Sequence, residues 1–359
     1  MLLLSISLTS GLTCKSWHLP PSRHRFENTH VNRPPLASAP CRSFLLVFVF
    51  VLTCHHGMPS HAAEPASGTL KSGLVFLNDE VRVNGTTDAP CLVLIPGLLA
   101  NERSMACICD VVKKEDFTTA VFHYTSQSGI AAAAEQLSRE LVQLKTRQPE
   151  REVVLITHSM GGLVARRCIE DVTLAPGNVS QLIMIAPPNQ GSAIAALSAS
   201  VLAEDFAFKE ALDSATLELV DDALGSFFGR AKDELRPGSG LLTELNAGRR
   251  ATGIRYCIIA GNSGPIPGEW VNATLMLGRL LVTDNPETET ALRSASKLLT
   301  LEEWTKGRGD GVVSVASARL KGVDDFITMP FTHNSFGETP SDATDEVLRE
   351  VMKRVVPEK

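Results

Sequence analysis

Residues 153–162 constrain the fold of this chain more than any other stretch. They read Val-Val-Leu-Ile-Thr-His-Ser-Met-Gly-Gly and are followed by the helical run Leu163–Arg166. Four apolar residues, three of them β-branched, predict a buried strand. A serine in a sharp turn between such a strand and a helix has its hydroxyl exposed at the carboxyl end of the strand. The pattern therefore predicts an α/β fold with Ser159 at the edge of the sheet.

Ser159 is the candidate nucleophile. The turn matches G-x-S-x-G, except that Thr157 replaces the first glycine. The alternative is a surface serine in an ordinary glycine-rich turn. A serine hydroxyl is a weak nucleophile, so it needs a histidine base and a carboxylate that orients the histidine. The backbone N–H of Met160, at the start of the helix, is predicted to bind a developing oxyanion.

His333 is the predicted base. It follows the apolar run 326–329. In folds with this type of turn, the serine comes first in the chain, an Asp or Glu second and the histidine last, and His333 fits the last position. His158 adjoins the nucleophile and is expected to point away from it. His123 is interpreted as a hydrogen-bonded histidine at a strand end. The other six histidines lie within residues 1–62.

The acid must lie between the serine and the histidine, and Asp310 is the leading candidate. It stands in the glycine-rich segment 307–311, just before the apolar run 312–315. Flanking glycines allow a tight turn that directs the carboxylate inward. An ordinary Asp-Gly turn is the alternative interpretation. Asp284, in a polar turn, and Asp325, at the entry to the last strand, are the other candidates for the acid.

A second oxyanion donor is predicted in the loop after an earlier strand. The apolar run 91–95 predicts a buried strand that ends in Pro96-Gly97. The Leu98 N–H is the predicted donor, with the Leu99 N–H as the alternative. An ordinary Pro-Gly turn is the competing interpretation.

Together these motifs resemble the lipase and esterase branch of the α/β-hydrolase superfamily. A further stretch, 186–192, is similar to the Pro-His-x-Gly-Ser segment of bacterial triacylglycerol lipases and of lipase-like inositol deacylases that act on glycolipid anchors, although Asn189 replaces its histidine. The resemblance spans about residues 72–355. It implies hydrolysis of lipophilic carboxyl esters through an acyl-enzyme, without a cofactor or metal. It also implies substrate contacts at Leu99, Pro188 and Asn189.

The resemblance leaves other functions open. A thioesterase, an amidase or an acyltransferase would share the same three residues. A non-catalytic, hydrolase-like binding protein is the alternative outside the enzymes.

The N-terminal residues 1–62 are predicted to be a signal peptide with a long n-region. The nine apolar residues 44–52 are too few for a membrane span, which needs about 20, but they suit a signal-peptide core. Cleavage after Ala62 would leave 63–359 as one α/β-hydrolase domain. We expect a secreted or periplasmic protein, with an uncleaved N-terminal membrane anchor as the alternative.

Apolar runs that alternate with helical patterns predict the fold class, a mostly parallel sheet with helices on both faces. Residues 193–250 are predicted to form a helical cap or lid, with ordinary crossover helices as the alternative. The predicted helices are 130–146, 160–172 and 343–354, and the predicted strands are 91–96, 119–124, 153–157, 181–186, 255–260, 312–315 and 326–330.

The charge of the chain limits which partners it can bind, and its cysteines are predicted to be buried rather than to bind zinc. The chain carries a net charge of −6, and residues 1–62 hold five Lys/Arg and one Glu, so the remainder carries −10. Such acidity argues against nucleic-acid binding, whereas transient contact with a membrane surface fits a lipid substrate. Three of the five remaining cysteines, Cys91, Cys168 and Cys257, are predicted to be buried hydrophobic residues, and Cys107-Ile108-Cys109 is too isolated to bind zinc.

Overall fold

The computed structural model describes residues 72–77, 89–98, 102–114, 117–125, 128–196, 231–269, 271, 276, 300–337 and 341–355. The predicted signal peptide, Leu99, Asp284 and residues 197–230 of the predicted cap lie outside the described residues. What the sequence predicts for these residues stays a prediction.

Seven strands of the described residues form one sheet in the order β1-β3-β2-β4-β5-β6-β7. Strand β1 pairs antiparallel with β3, and the other neighbouring pairs are parallel. The bounds are β1 Gly73–Phe76, β2 Cys91–Ile95, β3 Thr118–His123, β4 Val153–His158, β5 Val179–Ile185, β6 Arg255–Gly261 and β7 Phe326–Met329.

The central strands are apolar along their whole length because both faces of the sheet are covered. Every residue of β2 and of β4 is buried. Alternate residues of β2 enter different cores: Val93 packs into one cluster and Leu92 into the other. Strands that read as continuous hydrophobic runs are typical of a parallel sheet between two helical layers.

Helices cover both faces of this sheet, as the fold-class prediction required. Helices α2, α3 and α6 contribute to one apolar cluster, and α1 and α8 contribute to the other. The bounds are α1 Ala106–Lys114, α2 Ile130–Arg147, α3 Met160–Glu170, α4 Ala193–Ala196, α5 Ala231–Glu234, α6 Gly240–Ala247, α7 Val315–Ala318 and α8 Asp342–Val355, with 3₁₀ turns at Glu102–Met105 and Glu302–Trp304.

Within the predicted cap, the described helices bury apolar side chains in the core. Ala231, Leu235, Leu242 and Leu245 are buried in the same cluster as helices α2 and α3. This part therefore packs as crossover helices do, which was the alternative interpretation. Of the helices that the structure describes, none combines the length and the apolar character that a membrane span requires.

The predicted strand 312–315 is wrong. The Val312 and Val313 N–H groups donate to the Asp310 carboxylate instead of to a neighbouring strand. Ser314 then caps α7, because its hydroxyl accepts a hydrogen bond from the Ser317 N–H. Strand β1, by contrast, was not predicted.

All five cysteines of the described residues are free and buried. The prediction that Cys91, Cys168 and Cys257 are buried is therefore confirmed. Desolvation raises the pKa of each of these three thiols to about 12, which keeps them protonated and unreactive.

Candidate active site

Ser159 lies in the turn between β4 and α3, where its backbone has φ 54° and ψ −129°. A positive φ is uncommon for a residue other than glycine. The conformation is held from both sides: the Ser159 N–H donates to the Ile185 carbonyl at 2.9 Å, and the Ser159 carbonyl accepts from the Gly162 N–H at 3.0 Å. Neighbouring structure therefore fixes the serine in the strained turn that the motif predicts.

The glycines around Ser159 are required by close approach. A Cβ at Gly161 would lie 2.7 Å from the Pro96 carbonyl oxygen and would also overlap the Ile95 carbonyl oxygen. A Cβ at Gly97 would lie 2.9 Å from the Ser159 Cβ. The start of α3 and the loop after β2 are thus packed backbone to backbone.

Thr157 occupies the position of the first glycine in the motif. It is fully buried, and its hydroxyl donates to the Ile183 carbonyl at 3.3 Å. A Cβ at Gly162 would lie 3.3 Å from the Thr157 hydroxyl and 3.1 Å from the Pro187 Cβ. Gly162 therefore provides the space that the larger threonine side chain takes up.

The structure brings together the three residues that the sequence singled out. The His333 Nδ1–H donates to Asp310 Oδ2 at 2.8 Å, and the Ser159 hydroxyl lies 3.0 Å from His333 Nε2. The three residues follow different strands, β4, β6 and β7, and meet at the carboxyl end of the sheet. All three are buried. A carboxylate, an imidazole and a hydroxyl in this order can move a proton off the serine.

Asp310 is oriented by its own turn. Its Oδ1 accepts the Val312 and Val313 N–H groups at 2.9 and 2.8 Å, which leaves Oδ2 for the imidazole of His333. The His333 N–H also donates to the Asp310 carbonyl at 2.9 Å. Asp325, one of the alternative acids, instead pairs with Arg354, whose hydrogen bonds hold the Asp325 pKa below its ordinary value.

The two predicted oxyanion donors flank the serine. Met160 is the first residue of α3, where a helix leaves backbone N–H groups without intrahelical partners. Leu98 follows Gly97, which lies against Ser159. Tyr124, at the end of β3, donates its hydroxyl to the Pro96 carbonyl at 2.8 Å. This contact anchors the loop before Leu98, and sequence reasoning missed it.

His158 contacts the loop that carries His333. Its Nε2–H donates to the His333 carbonyl oxygen at 3.0 Å, and its ring packs on those of His333 and Phe336. Desolvation, with a smaller contribution from the neighbouring His333, lowers the pKa of His158 to about 3. His123 lies at the end of β3 and is half-buried, at the predicted strand end.

Asn189 corrects a predicted substrate contact. Its side chain is fully buried, and its amide accepts a hydrogen bond from Arg166 at 2.9 Å and donates to the Ala318 carbonyl at 2.7 Å. Both polar ends are therefore occupied by the protein, and the residue is structural. Pro188 is buried in the same turn, where its carbonyl accepts the Gly191 N–H, and its contact with a substrate stays a prediction.

Glu303 is a second carboxylate behind the Asp310 turn that the sequence did not reveal. Its side chain accepts the Ala193 N–H at 2.9 Å, and its backbone carbonyl accepts the Gly311 N–H at 2.8 Å. Burial raises the pKa of Glu303 above its ordinary value. No local pattern distinguishes it from the neighbouring Glu302. Among the described residues, no cluster of His, Cys, Asp and Glu could hold a metal ion.

Comparisons with known proteins give one family match. Residues 92–205 match the family described as the PGAP1-like alpha/beta domain. A comparison with curated proteins finds no match.

Solved structures that resemble this chain include lipases, esterases and a phospholipase. The mature lipase BlEst2 of Bacillus licheniformis shares 17% identity over 79% of this chain and 98% of that chain, with a TM-score of 0.49. Phospholipase PlaB of Legionella pneumophila shares 16% identity over 74% and 63%, with a TM-score of 0.45. The metagenomic carboxyl esterase MGS0156 shares 18% identity over 75% and 76%, with a TM-score of 0.41.

The family match begins in β2 and includes the Ser159 turn. The sheet order and the helices on both faces are those of an α/β-hydrolase. The α/β-hydrolase fold that the sequence predicts is thus confirmed, and residues 92–205 are similar to the PGAP1-like alpha/beta domain.

Proposed function

We propose that this protein is a serine hydrolase that cleaves lipophilic carboxyl esters through an acyl-enzyme. The observation that carries the proposal is the continuous hydrogen-bonded series from Asp310 through His333 to Ser159, with contacts of 2.8 and 3.0 Å. The match of residues 92–205 to a lipase-like family supports an ester as the substrate.

In the acylation step, Ser159 Oγ attacks the acyl carbon while His333 Nε2 accepts the hydroxyl proton. The Asp310 carboxylate holds the Nδ1–H tautomer and stabilises the imidazolium that forms. The Met160 and Leu98 N–H groups donate to the oxyanion of the tetrahedral intermediate. His333 Nε2 then gives its proton to the departing alkoxide, and the alcohol leaves the acyl-enzyme.

Deacylation uses the same groups in the reverse sense. His333 Nε2 removes a proton from water, the water oxygen attacks the acyl carbon, and the proton returns to Ser159 Oγ as the acid leaves. The Asp310 carboxylate again bears the positive charge on the imidazole. Residues of this chain carry every proton transfer in this scheme.

We propose an exported enzyme that meets its substrate at a lipid surface. The apolar run 44–52 has the length of a signal-peptide core. Residues 197–230 of the predicted cap are rich in phenylalanine and leucine, which suits an acyl-binding cap. The export and the cap are both inferred from the sequence. Fractionation of cells into cytoplasmic, membrane and exported protein would test the export.

The test is turnover of p-nitrophenyl esters from acetyl to palmitoyl by the purified chain. Ser159→Ala and His333→Ala should each lower kcat by about 10⁶-fold, and Asp310→Asn should lower it by about 10⁴-fold because the histidine tautomer is no longer fixed. His123→Gln is the matched control and should keep wild-type turnover. A fluorophosphonate should label wild-type Ser159 and leave Ser159→Ala unlabelled.

The outcomes separate the competing functions. Labelling without turnover of any ester would favour a thioesterase, amidase or acyltransferase on the same three residues. A folded wild-type chain with neither labelling nor turnover would indicate a binding protein. The preferred chain length would separate an esterase from a lipase.

A further inference from the structure

The loop 331–337, which carries His333, is held by its backbone carbonyl groups. Five of these carbonyl oxygens accept hydrogen bonds from other parts of the protein. The Phe331 carbonyl accepts from the Ser263 N–H, the His333 carbonyl from the His158 Nε2–H, and the Ser335 carbonyl from the Thr344 hydroxyl. The Phe336 carbonyl accepts from the Cys107 N–H, and the Gly337 carbonyl accepts from the Cys107 thiol.

One of these five contacts differs from the rest because it starts beside the nucleophile. His158 precedes Ser159 in the chain, and its Nε2–H donates to the His333 carbonyl at 3.0 Å. The Ser159 hydroxyl lies 3.0 Å from the His333 ring. Backbone and hydrogen bonds thus form a closed cycle that passes through both the serine and the histidine. A shift of the loop away from His158 would therefore move His333 Nε2 relative to Ser159 Oγ.

The protonation state of His158 follows from its partners. A carbonyl oxygen only accepts, so Nε2 must carry the proton. Nδ1 is buried and has no hydrogen-bond partner among the described residues. A second proton there would create a buried cation whose ring lies 4.8 Å from that of His333. Burial disfavours such a charge, and the lowered pKa of His158 agrees. His158 is therefore a neutral donor with a single tautomer.

We propose that His158 is a positioning residue, whose Nε2–H holds the His333 carbonyl so that the His333 imidazole stays aligned with Ser159. Because His158 is neutral, it does not oppose the positive charge that His333 acquires during the reaction. This inference rests on the serine-hydrolase function proposed above.

The test compares two substitutions that keep a large side chain. His158→Phe keeps an aromatic ring beside Phe336 but has no donor for the His333 carbonyl. His158→Gln has an amide nitrogen that can reach the position of Nε2 and donate to the same carbonyl. Turnover is measured per active site, with the site concentration taken from fluorophosphonate labelling, and thermal unfolding is followed in parallel.

We expect His158→Phe to lower kcat about tenfold or more while KM stays nearly unchanged, since the loss is one of alignment. We expect His158→Gln to restore most of that kcat. Wild-type kcat per labelled site in His158→Phe would overturn the proposal. So would equal losses of kcat in both variants, because a donor that restores the contact would then restore no activity.

A second measurement does not depend on activity. Nitrogen-15 shifts of the His158 ring should report the neutral Nε2–H tautomer from pH 8 to pH 5 in the full chain, and a titrating or Nδ1–H ring would overturn the proposal. A wild-type chain that is neither labelled nor active, with the expected tautomer, would instead overturn the proposed function and leave the hydrogen bond in place.

Discussion

Ser159, the proposed nucleophile, has a strained backbone conformation. A non-glycine residue with φ 54° costs roughly 1–3 kcal/mol. The hydrogen bonds to Ile185 and from Gly162 hold the backbone there. The same turn requires glycine at position 161, because the Ile95 and Pro96 carbonyl oxygens lie too close to Gly161 for a Cβ to fit. The strained serine and the close packing are therefore two parts of one local arrangement.

Gly161→Ala should lower both stability and turnover. The added Cβ would overlap the Ile95 and Pro96 carbonyl oxygens, so α3 must move away from the loop that precedes Leu98. A loss of about 1–3 kcal/mol in the free energy of unfolding is expected. Urea unfolding and ester turnover would measure the two effects.

Gly240→Ala is the matched control for this substitution. Gly240 is also in the first turn of a helix, and a Cβ there meets nothing within 4 Å. Because alanine favours a helix by up to about 1 kcal/mol over glycine, stability should stay level or rise and turnover should not change. Equal losses at both positions would contradict the steric explanation.

The sequence allowed the candidate catalytic residues to be chosen where their order in the chain limits the choice. Ser159, Asp310 and His333 were singled out because each residue type, its local turn and its order in the chain agree. Asn189 was misassigned because its role depends on Arg166, a partner 23 positions away that no local pattern indicates. His158 received no role for the same reason.

At the scale of elements, side-chain hydrogen bonds hold the loop after β2 and join helix α3 to helix α6. The loop after β2 is held by Tyr124 at the end of β3. The first helix after the serine, α3, is joined to α6 through Arg166, which donates to Asn246 and to the Leu245 carbonyl. These contacts fix the framework from which the Leu98 and Met160 N–H groups are presented.

Tyr124→Phe should lower kcat several-fold. It removes the hydrogen bond to the Pro96 carbonyl and so loosens the loop that carries the Leu98 N–H. The stability loss should be about 1 kcal/mol. Tyr256→Phe is the control, since its hydroxyl accepts from the Ala251 N–H away from the serine. It should lower stability comparably without a change in kcat, and equal kcat losses would contradict the assignment.

Arg166→Met should destabilise the fold by about 3 kcal/mol, because it removes one of the two arginines, Arg166 and Arg250, that pair with the buried Glu170. Arg166 is fully buried, and Glu170, its partner at 3.1 Å, is nearly so. Arg167→Met, one position along α3, is the control. Arg167 is partly exposed, so its loss should cost less than about 1 kcal/mol. Urea unfolding measures the free energy of unfolding of both variants. Similar losses of stability would mean that burial of the ion pair has little effect.

Elements were predicted well where hydrophobic pattern and hydrogen bonding agree, and poorly where they compete. The run Val312–Val315 has the composition of a strand, but the Asp310 carboxylate takes the first two N–H groups. A single sequence does not show which acceptor a backbone N–H group finds. The four residues of β1 are too few to give a clear alternating pattern.

On the scale of the whole molecule, the parallel sheet explains why distant residues meet. Parallel strands place their carboxyl ends at one edge, and Ser159, Asp310 and His333 all follow such ends. The alternation of apolar and helical segments predicted this architecture and its two helical layers. The antiparallel strand β1 and the pairing order could not be predicted, because register depends on contacts between segments far apart in the chain.

The C-terminal helix α8 should make stability depend on acid pH. Arg354 donates to both carboxylate oxygens of Asp325 and pairs with Glu350. The pKa of Asp325 is lowered by Arg354, and that of Glu350 by Lys353 and then Arg354. Since both pKa values are lower in the folded state, this stabilisation is present above about pH 4 and is lost as the pH falls through the folded pKa values.

Arg354→Met should therefore be less stable than wild type at pH 7, and the difference should shrink below about pH 4. Urea unfolding at pH 7, 5 and 3 measures this. Arg349→Met is the control, since Arg349 is exposed on the same helix, and it should follow the wild-type curve. A difference that stays constant down to pH 3 would contradict the carboxylate explanation.

Strand β1 limits how far along the chain the predicted N-terminal cleavage could lie. It lies at the margin of the sheet and takes up the free side of β3, from Ala120 to His123. Removal of the chain up to Ala62 leaves this pairing intact. A protease that cut after Phe76 would instead release β1 and uncover unpaired peptide groups, which invite a strand from another molecule. Clipping at that point should increase self-association relative to the uncut chain, as light scattering would measure.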